Sequence, residues 1–438
     1  MDASVEKSAM RKIYVRLLPI AVLSYVLAYI DRINVSFAGL TMQGDLGMTS
    51  AAFGFAVGTF YWGYFLFEVP SNVILEKVGA RWWIARIMIT WGILAGVTAA
   101  VTGATSFAVV RFLLGAAEAG FFPGIILYFT YWFPSHHHAR IVSAFLVGLP
   151  VAVSLGAPVS TALLGLDGLL GLRGWQIMFI AEAIPTVLIG LATVFILTDR
   201  PEQAKFLAAD ERDWLTARLA AERQAKEAVR TFTLWQAMLD PKVLLLALNY
   251  FGIVTASLGM LIFIPQIIKS LGHSSNMTVG WLTMIPYLSG AIAMVIWGRI
   301  SDRMNERRWN LLVACFVSFA GLVMAGLTMG TWCALVGMSI AATGFYGSKG
   351  PFFAMPPMFL TGTGLAAGIA WINSIGNLGG FFGPWYVGIM KDATGSFAGG
   401  LFGLALLSLV AAVVCAFFLH IPHRPLEAAA PPVGAHAG

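Results

Sequence analysis

Along most of the chain, apolar residues run together for about twenty positions at a time and then give way to short polar segments. A helix rising about 1.5 Å per residue needs about that many to cross the hydrocarbon core of a bilayer. Such windows predict helices over roughly 13–38, 53–75, 83–101, 106–132, 140–165, 174–197, 242–268, 279–298, 309–329, 332–355, 364–389 and 399–420, twelve in all. Composition strengthens the reading: of 438 residues, 58% are hydrophobic and only 11% charged, with a mean hydropathy of +0.80. These values exclude an ordinary water-soluble domain. The expected class is an all-α, multi-pass membrane protein.

The polar segments carry the orientation, because basic residues gather at the cytoplasmic ends of spans. Arg11, Lys12, Arg16, Lys77, Arg81, Arg299, Arg303, Arg307 and Arg308 fall on one side, and only Arg173, Lys269 and Lys391 on the other. Both termini are therefore expected inside, and the net charge of +6 reflects topology rather than affinity for nucleic acid. No small-x-small cleavage site closes the first apolar run, so it is expected to stay as a helix rather than leave as a signal peptide.

One clearly soluble segment, 198–235, is rich in Asp, Glu, Lys, Arg and Ala and reads as a cytoplasmic linker with a surface helix, acting as a tether. It divides an N-terminal unit (1–197) from a C-terminal unit (236–424), with a tail over 425–438 expected to be disordered. The two units repeat. An offset of 226 lays "NVILEKVGAR" on "GRISDRMNERR", with Glu76 on Asp302, Lys77 on Arg303 and Arg81 on Arg307, and the same offset brings Pro158 onto Pro384. Two six-helix halves repeated in parallel about a midplane site make the major facilitator architecture. Glu76, Arg81, Asp302 and Arg303 are then candidates for a cytoplasmic gate that pairs in one conformation and parts in the other. Plain positive-inside topology with incidental carboxylates is the alternative.

A charge at the middle of a span costs at least about 2.5 kcal/mol and usually faces a cavity or a partner. Asp31 and Arg32 in "YIDRINVSF", and Arg111 and Glu118 in "VVRFLLGAAEAGFFPG", are the strongest cases. Seven residues put Arg111 and Glu118 on one helix face, about 10 Å apart along the axis. All four fall at similar depth, and two readings stand. They read either as a structural ion-pair cluster, or as a site in which Arg32 or Arg111 binds an organic anion while a carboxyl holds a proton.

The neighbouring pattern suits a small amphipathic guest. Tyr25, Tyr29 and Arg32 share one helical face, as do Phe60, Tyr64, Phe67 and Ser71, although aromatic stripes are more often packing. Lys349 stands at a helix break before Gly350 and Pro351, and Asn373 and Asn377 lie one turn apart among glycines. Lys349 could equally snorkel or pair with an acid, and the asparagines could equally join helices. Glu68 reads as a gate or pairing residue. The run His136, His137 and His138 lacks spaced acid or cysteine partners and reads as a solvated loop, with no metal expected. Cys315, Cys333 and Cys415 read as small packing residues.

"YIDRINVSFA", "VRFLLGAAEAGFFPG", "FFPGIILYFTYWFP" and "INSIGNLGGFFGP" together resemble the anion:cation symporter family of the major facilitator superfamily, over about residues 10 to 420. The resemblance implies a bacterial inner-membrane carrier of small carboxylates such as tartrate, phthalate or sugar acids. It implies proton coupling at Asp31 and Glu118, contact of Arg32 with the substrate carboxylate, pairing of Arg111 with the acid below it, and a pocket lined by Tyr29 and Tyr64. Where relatives commonly carry a charged pair after the fourth span, this chain has "PSHHHARI". The expected function is proton-coupled import of a small organic carboxylate by a monomer without cofactor. A carrier of neutral sugars or drugs and a transporter-like sensor are the rivals. No nucleophile or paired His and Asp motif in any span supports an enzyme.

Overall fold

A computed structural model describes residues 2–146, 148–227, 236, 238–272, 275–304, 306–360 and 362–419. The expected tail and the end of the linker, 228–235, lie outside them. The described residues form helices and turns: α1 (Asp2–Ala38), α2 (Ser50–Val78), α3 (Ala80–Val97), α4 (Ala104–Glu118), α5 (Phe121–Trp132), α6 (Ser135–Leu146), α7 (Gly148–Leu164), α8 (Gly174–Ile196), α9 (Ala209–Glu227), α10 (Pro241–Ser270), α11 (Asn276–Met304), α12 (Arg308–Leu327), α13 (Trp332–Gly347), α14 (Lys349–Phe353), α15 (Gly362–Thr394) and α16 (Ala398–Phe417).

Among the described residues, eight stretches are long and apolar enough to cross a membrane: those in α1, α3, α4 with α5, α8, α10, α11, α12 and α16. The other four expected stretches are helical too, in α2, α6 with α7, α13 with α14, and α15, but fall short of that standard. The reason is local. α13 runs only 16 residues before the turn at Ser348, while α2 dilutes its apolar run with Gly, Tyr, Trp and polar residues.

Those glycines set the packing, because a missing side chain lets two backbones approach without the help of water exclusion between lipid-embedded helices. A Cβ on Gly63 would strike the Phe112 carbonyl, and one on Gly115 the Phe60 carbonyl, so α2 and α4 lie backbone to backbone. The same device joins the helices before α9 to those after it. A Cβ on Gly58 of α2 would sit 2.8 Å from Cα of Phe381 on α15, one on Gly54 would strike the Pro384 carbonyl, and one on Gly280 of α11 would strike Thr161 of α7. Asp392 at the end of α15 accepts from the backbone N–H groups of Ser50 and Ala51 at 3.0 and 2.7 Å. These contacts close the face opposite the basic loops.

On the basic face, α9 is held to α1 through Glu211, which accepts from Ser8 at 2.6 Å, from Lys12 at 2.8 Å and from the backbone N–H of Ala208 at 2.9 Å. Burial opposes ionisation of Glu211, but Lys12, Ser8 and Ala208 outweigh it and hold the carboxyl below the ordinary glutamate range. A carboxyl lowered in the folded state contributes above its unfolded value, and the contribution is lost as pH falls through the folded one. Glu211→Gln is therefore expected to speed hydrogen exchange across 209–227 at neutral pH, at a cost of about 1 kcal/mol or less for a pair whose lysine is half exposed. Wild-type protein should show the same loosening only on acidification.

Candidate functional site

The turn of α1 from Asp31 to Asn34 serves two faces, since consecutive helical residues point about 100° apart. Arg32 turns toward α2 and α4. Its Nε donates to Oε1 of Glu118 at 2.6 Å, and Nη2 lies 2.6 Å from the same oxygen in an ion pair. The guanidinium lies 5.5 Å from the ring centres of Tyr29 and Phe60 and 5.2 Å from that of Tyr64, so aromatic faces flank the cation. Glu118 is the last residue of α4; the chain breaks at Ala119 and left-handed Gly120 before α5 begins. A Cβ on Gly120 would strike the Ser71 hydroxyl of α2, so the break is fitted to α2 and sets where the Glu118 carboxylate ends.

Arg111 sits two turns earlier on α4, 2% exposed, with its guanidinium 5.0 Å from the Phe60 ring centre. It has no ion pair among the described residues, and its Nε has no hydrogen-bond partner. The expected pairing of Arg111 with Glu118 is therefore not found in this conformation. Arg32 reaches Glu118 from α1, whereas Arg111 lies about 10 Å away along the shared axis.

Asp31 turns the other way, into the packing of α1, α3 and α8. Its Oδ2 accepts from the indole of Trp91 at 2.7 Å and the hydroxyl of Thr186 at 3.2 Å. Of the four charges, Arg32 and Glu118 are the two that form an ion pair. Sequence reasoning missed Glu182 of α8, which is 6% exposed. It accepts from Asn34 at 2.8 Å and Ser160 at 2.7 Å. Its signal was available: a carboxylate within the apolar run 174–197 is as conspicuous as Asp31.

Across from Arg32, the later helices offer aromatic and amide groups. Tyr250, Tyr287 and Tyr346 are buried, and Lys349 lies at the expected helix break with its ammonium 4.9 Å from the Tyr346 ring centre. Among the described residues Lys349 contacts neither arginine nor Glu118. Asn373 and Ser374 meet Glu68 instead, Ser374 donating at 3.1 Å, which makes Glu68 a link between α2 and α15. Asn377 is half-buried nearby on α15, and Phe67 is exposed rather than part of the α2 stripe.

The gate residues behave unequally. The backbone N–H of Arg81 donates to Asp199 at 2.8 Å and its Nε to the Val194 carbonyl at the end of α8. Arg308, one residue beyond the position aligned with Arg81, does the same for the Cys415 carbonyl of α16 at 2.9 Å. Asp302 pairs with Arg307 at 2.6 Å rather than with Arg303, and Arg303 and Glu76 are exposed. A cavity of about 210 Å³ at the base of α2, lined by residues including Glu76, Gly79, Tyr131 and Asp199, lies at this gate and apart from the buried charges. The histidine loop does have an acid partner: Glu6 of α1 meets His136 at 2.7 Å and His137 at 3.5 Å, brought there by tertiary packing that spacing cannot reveal. Cys315 and Cys415 are buried, but Cys333 is exposed.

Comparison with known proteins places this geometry. The chain is 48% identical over 414 residues to the "Putative tartrate transporter" of Agrobacterium vitis, spanning 94% of this chain and 95% of that one. It is 39% identical over 404 residues to the "Quinolone resistance transporter" of Acinetobacter baumannii, spanning 92% and 93%. The fold matches that of a bacterial homologue of the human lysosomal transporter Spinster, solved in an inward-facing and occupied conformation, with TM-score 0.75 at 16% identity over 91% of this chain and 95% of that one. The Major Facilitator Superfamily profile matches residues 21–384 and 278–437. A multi-pass membrane transporter rather than an enzyme, this chain belongs to the Major Facilitator Superfamily.

Proposed function

We propose that the protein imports a small organic carboxylate together with a proton by alternating access, as a monomer in a bacterial inner membrane with both termini cytoplasmic. One observation carries the reading: a carboxylate of the chain, Glu118, occupies the guanidinium fork of Arg32 that a substrate carboxylate would need. A proton on Glu118 weakens that pair and frees Arg32 for the anion. Occupancy closes the outer side, the helix groups before and after α9 rock, and loss of the proton inside returns Glu118 to Arg32 and expels the substrate. Both ligands travel together because an uncompensated buried charge is penalised in transit. Tyr29 and Tyr64 flank the anion, while Lys349, Asn373 and Asn377 offer a second polar end. Arg81 and Asp302 hold the cytoplasmic gate within their own groups in this conformation, with Glu76 and Arg303 at its rim.

The relative named for tartrate supports this substrate class. The test uses purified protein in proteoliposomes, with external pH recorded as tartrate, phthalate, hydroxyphenylacetate, galactonate and glucarate are added in turn. External alkalinisation with one acid is expected; silence from all five with folded protein would overturn the reading. Glu118→Gln should abolish proton-driven accumulation and retain exchange, so accumulation at the wild-type level would reassign the coupling. A second reading, drug export, draws on the relative named for quinolone resistance. With drug added outside the liposomes, exchange for internal protons would acidify the medium instead.

A further inference from the structure

Behind Arg32, α1 and α8 run antiparallel and meet in two rungs. Asp31 accepts from Thr186, and Asn34 donates to Glu182. Asp31 to Asn34 rises about 4.5 Å and Glu182 to Thr186 about 6 Å, so the two carboxyls stand on adjacent rungs. All five polar side chains of the cluster, Asp31, Asn34, Ser160, Glu182 and Thr186, are less than a tenth exposed.

Every donor to the two acids is neutral: Trp91 and Thr186 for Asp31, Ser160 and Asn34 for Glu182. Neither acid has an ion pair with lysine or arginine among the described residues. Among the described residues, the charged group that Glu182 faces is Asp31, while Asp31 faces Glu182 and, through α4, Glu118 and Arg111. Two carboxyls on adjacent rungs, buried and with no cation in ion-pair contact, cannot both ionise at acceptable cost. Two acceptors are also left over: Oδ1 of Asp31 and Oδ1 of Asn34 have no hydrogen-bond partner. They belong to residues three apart on one face of α1, the spacing at which side chains meet. A carboxylic acid O–H is the donor this excess of acceptors lacks.

We infer that Asp31 and Glu182 form a second proton-binding site that holds one proton between them, separate from the Arg32–Glu118 pair. Its place gives it a use. The turn 31–34 presents Asp31 and Asn34 to the proton and Arg32 to the anion, so one turn of backbone joins both occupancies. The inference adds Glu182, which neither the family resemblance nor the four-charge pattern assigns. It rests on the proton-coupled reading only for its purpose, since the site is tested without substrate and can fail or stand independently of carboxylate uptake.

The test is infrared spectroscopy of the full chain in liposomes, following the C=O stretch of protonated carboxyls as pH is raised, in H₂O and D₂O. Glu182→Gln is expected to move the titration of the remaining Asp31 band by about one pH unit or more, Asp31→Asn to do the same for Glu182, and the double variant to lose that band. Ser160→Ala keeps both acids and removes one donor to Glu182, so it should also displace the titration even if a carboxyl substitution prevents folding. Single substitutions that leave the partner's titration unchanged would overturn a shared proton. So would loss of the band on adding sodium at fixed pH, which would assign the oxygens to a metal cation.

Discussion

Arg32→Gln is expected to lower carboxylate uptake by about a hundredfold with the protein still folded, in exchange as well as in accumulation. The guanidinium makes one charge-assisted hydrogen bond to a carboxylate oxygen and a second ion-pair contact to the same atom. Such a bond contributes about 1.5–3 kcal/mol, and about 2.7 kcal/mol corresponds to a hundredfold in affinity. Glutamine keeps a donor but removes the charge and leaves Glu118 buried without its cation, so Glu118 should then be protonated throughout the cycle. Arg32→Lys should be intermediate, because a point charge replaces a planar fork. Arg111→Gln provides the contrast. Its guanidinium pairs with no acid in this conformation, so the loss should fall on substrate affinity and leave the Arg32–Glu118 pair in place. Uptake and binding measured on all three variants decide the roles. Arg32→Gln at wild-type uptake would remove Arg32 from the carboxylate site, and a larger loss in Arg111→Gln would exchange the two assignments.

The site was legible in the sequence to the extent that charge stands out against apolar surroundings. Asp31, Arg32, Arg111 and Glu118 could be picked out because lipid-embedded helices reject charge without a reason. Their partners could not. Asp31 and Arg32 are adjacent in the chain, yet one turns to Trp91 and Thr186 and the other to Glu118, and only the approach of α3, α4 and α8 decides between them. The same limit applies to Glu6 with His136, joined across 130 residues. The helices themselves were legible from apolar runs, and Gly120 and Ser348 mark breaks inside the predicted spans 106–132 and 332–355. A hydropathy window nevertheless misjudges a helix such as α2, whose Gly residues serve close packing against α4 and α15 rather than lipid.

Those same glycines give the second large effect. Gly58→Val is expected to shift the protein away from the conformation described here, in which the face opposite the basic loops is closed. The Cβ of any residue at position 58 would lie 2.8 Å from Cα of Phe381 and 2.9 Å from its ring, and backbone on a packed helix cannot yield as a side-chain end can. Overpacking of this kind costs about 1–3 kcal/mol. If the crossing of α2 and α15 opens during transport, that cost falls on the closed state alone and moves the equilibrium by about 5–150-fold. Spin labels at Leu166, beyond the end of α7, and at Met277, at the start of α11, lie on the two sides of the closed face and are both exposed. Their distance distribution should lengthen in Gly58→Val. Gly252→Ala serves as the control, since a Cβ there meets its nearest neighbour at an ordinary 3.5 Å and lies away from the crossing. An unchanged distribution with folded Gly58→Val would mean that α2 and α15 stay together through the cycle, and would move the outer gate to the contact between Thr161 and Gly280.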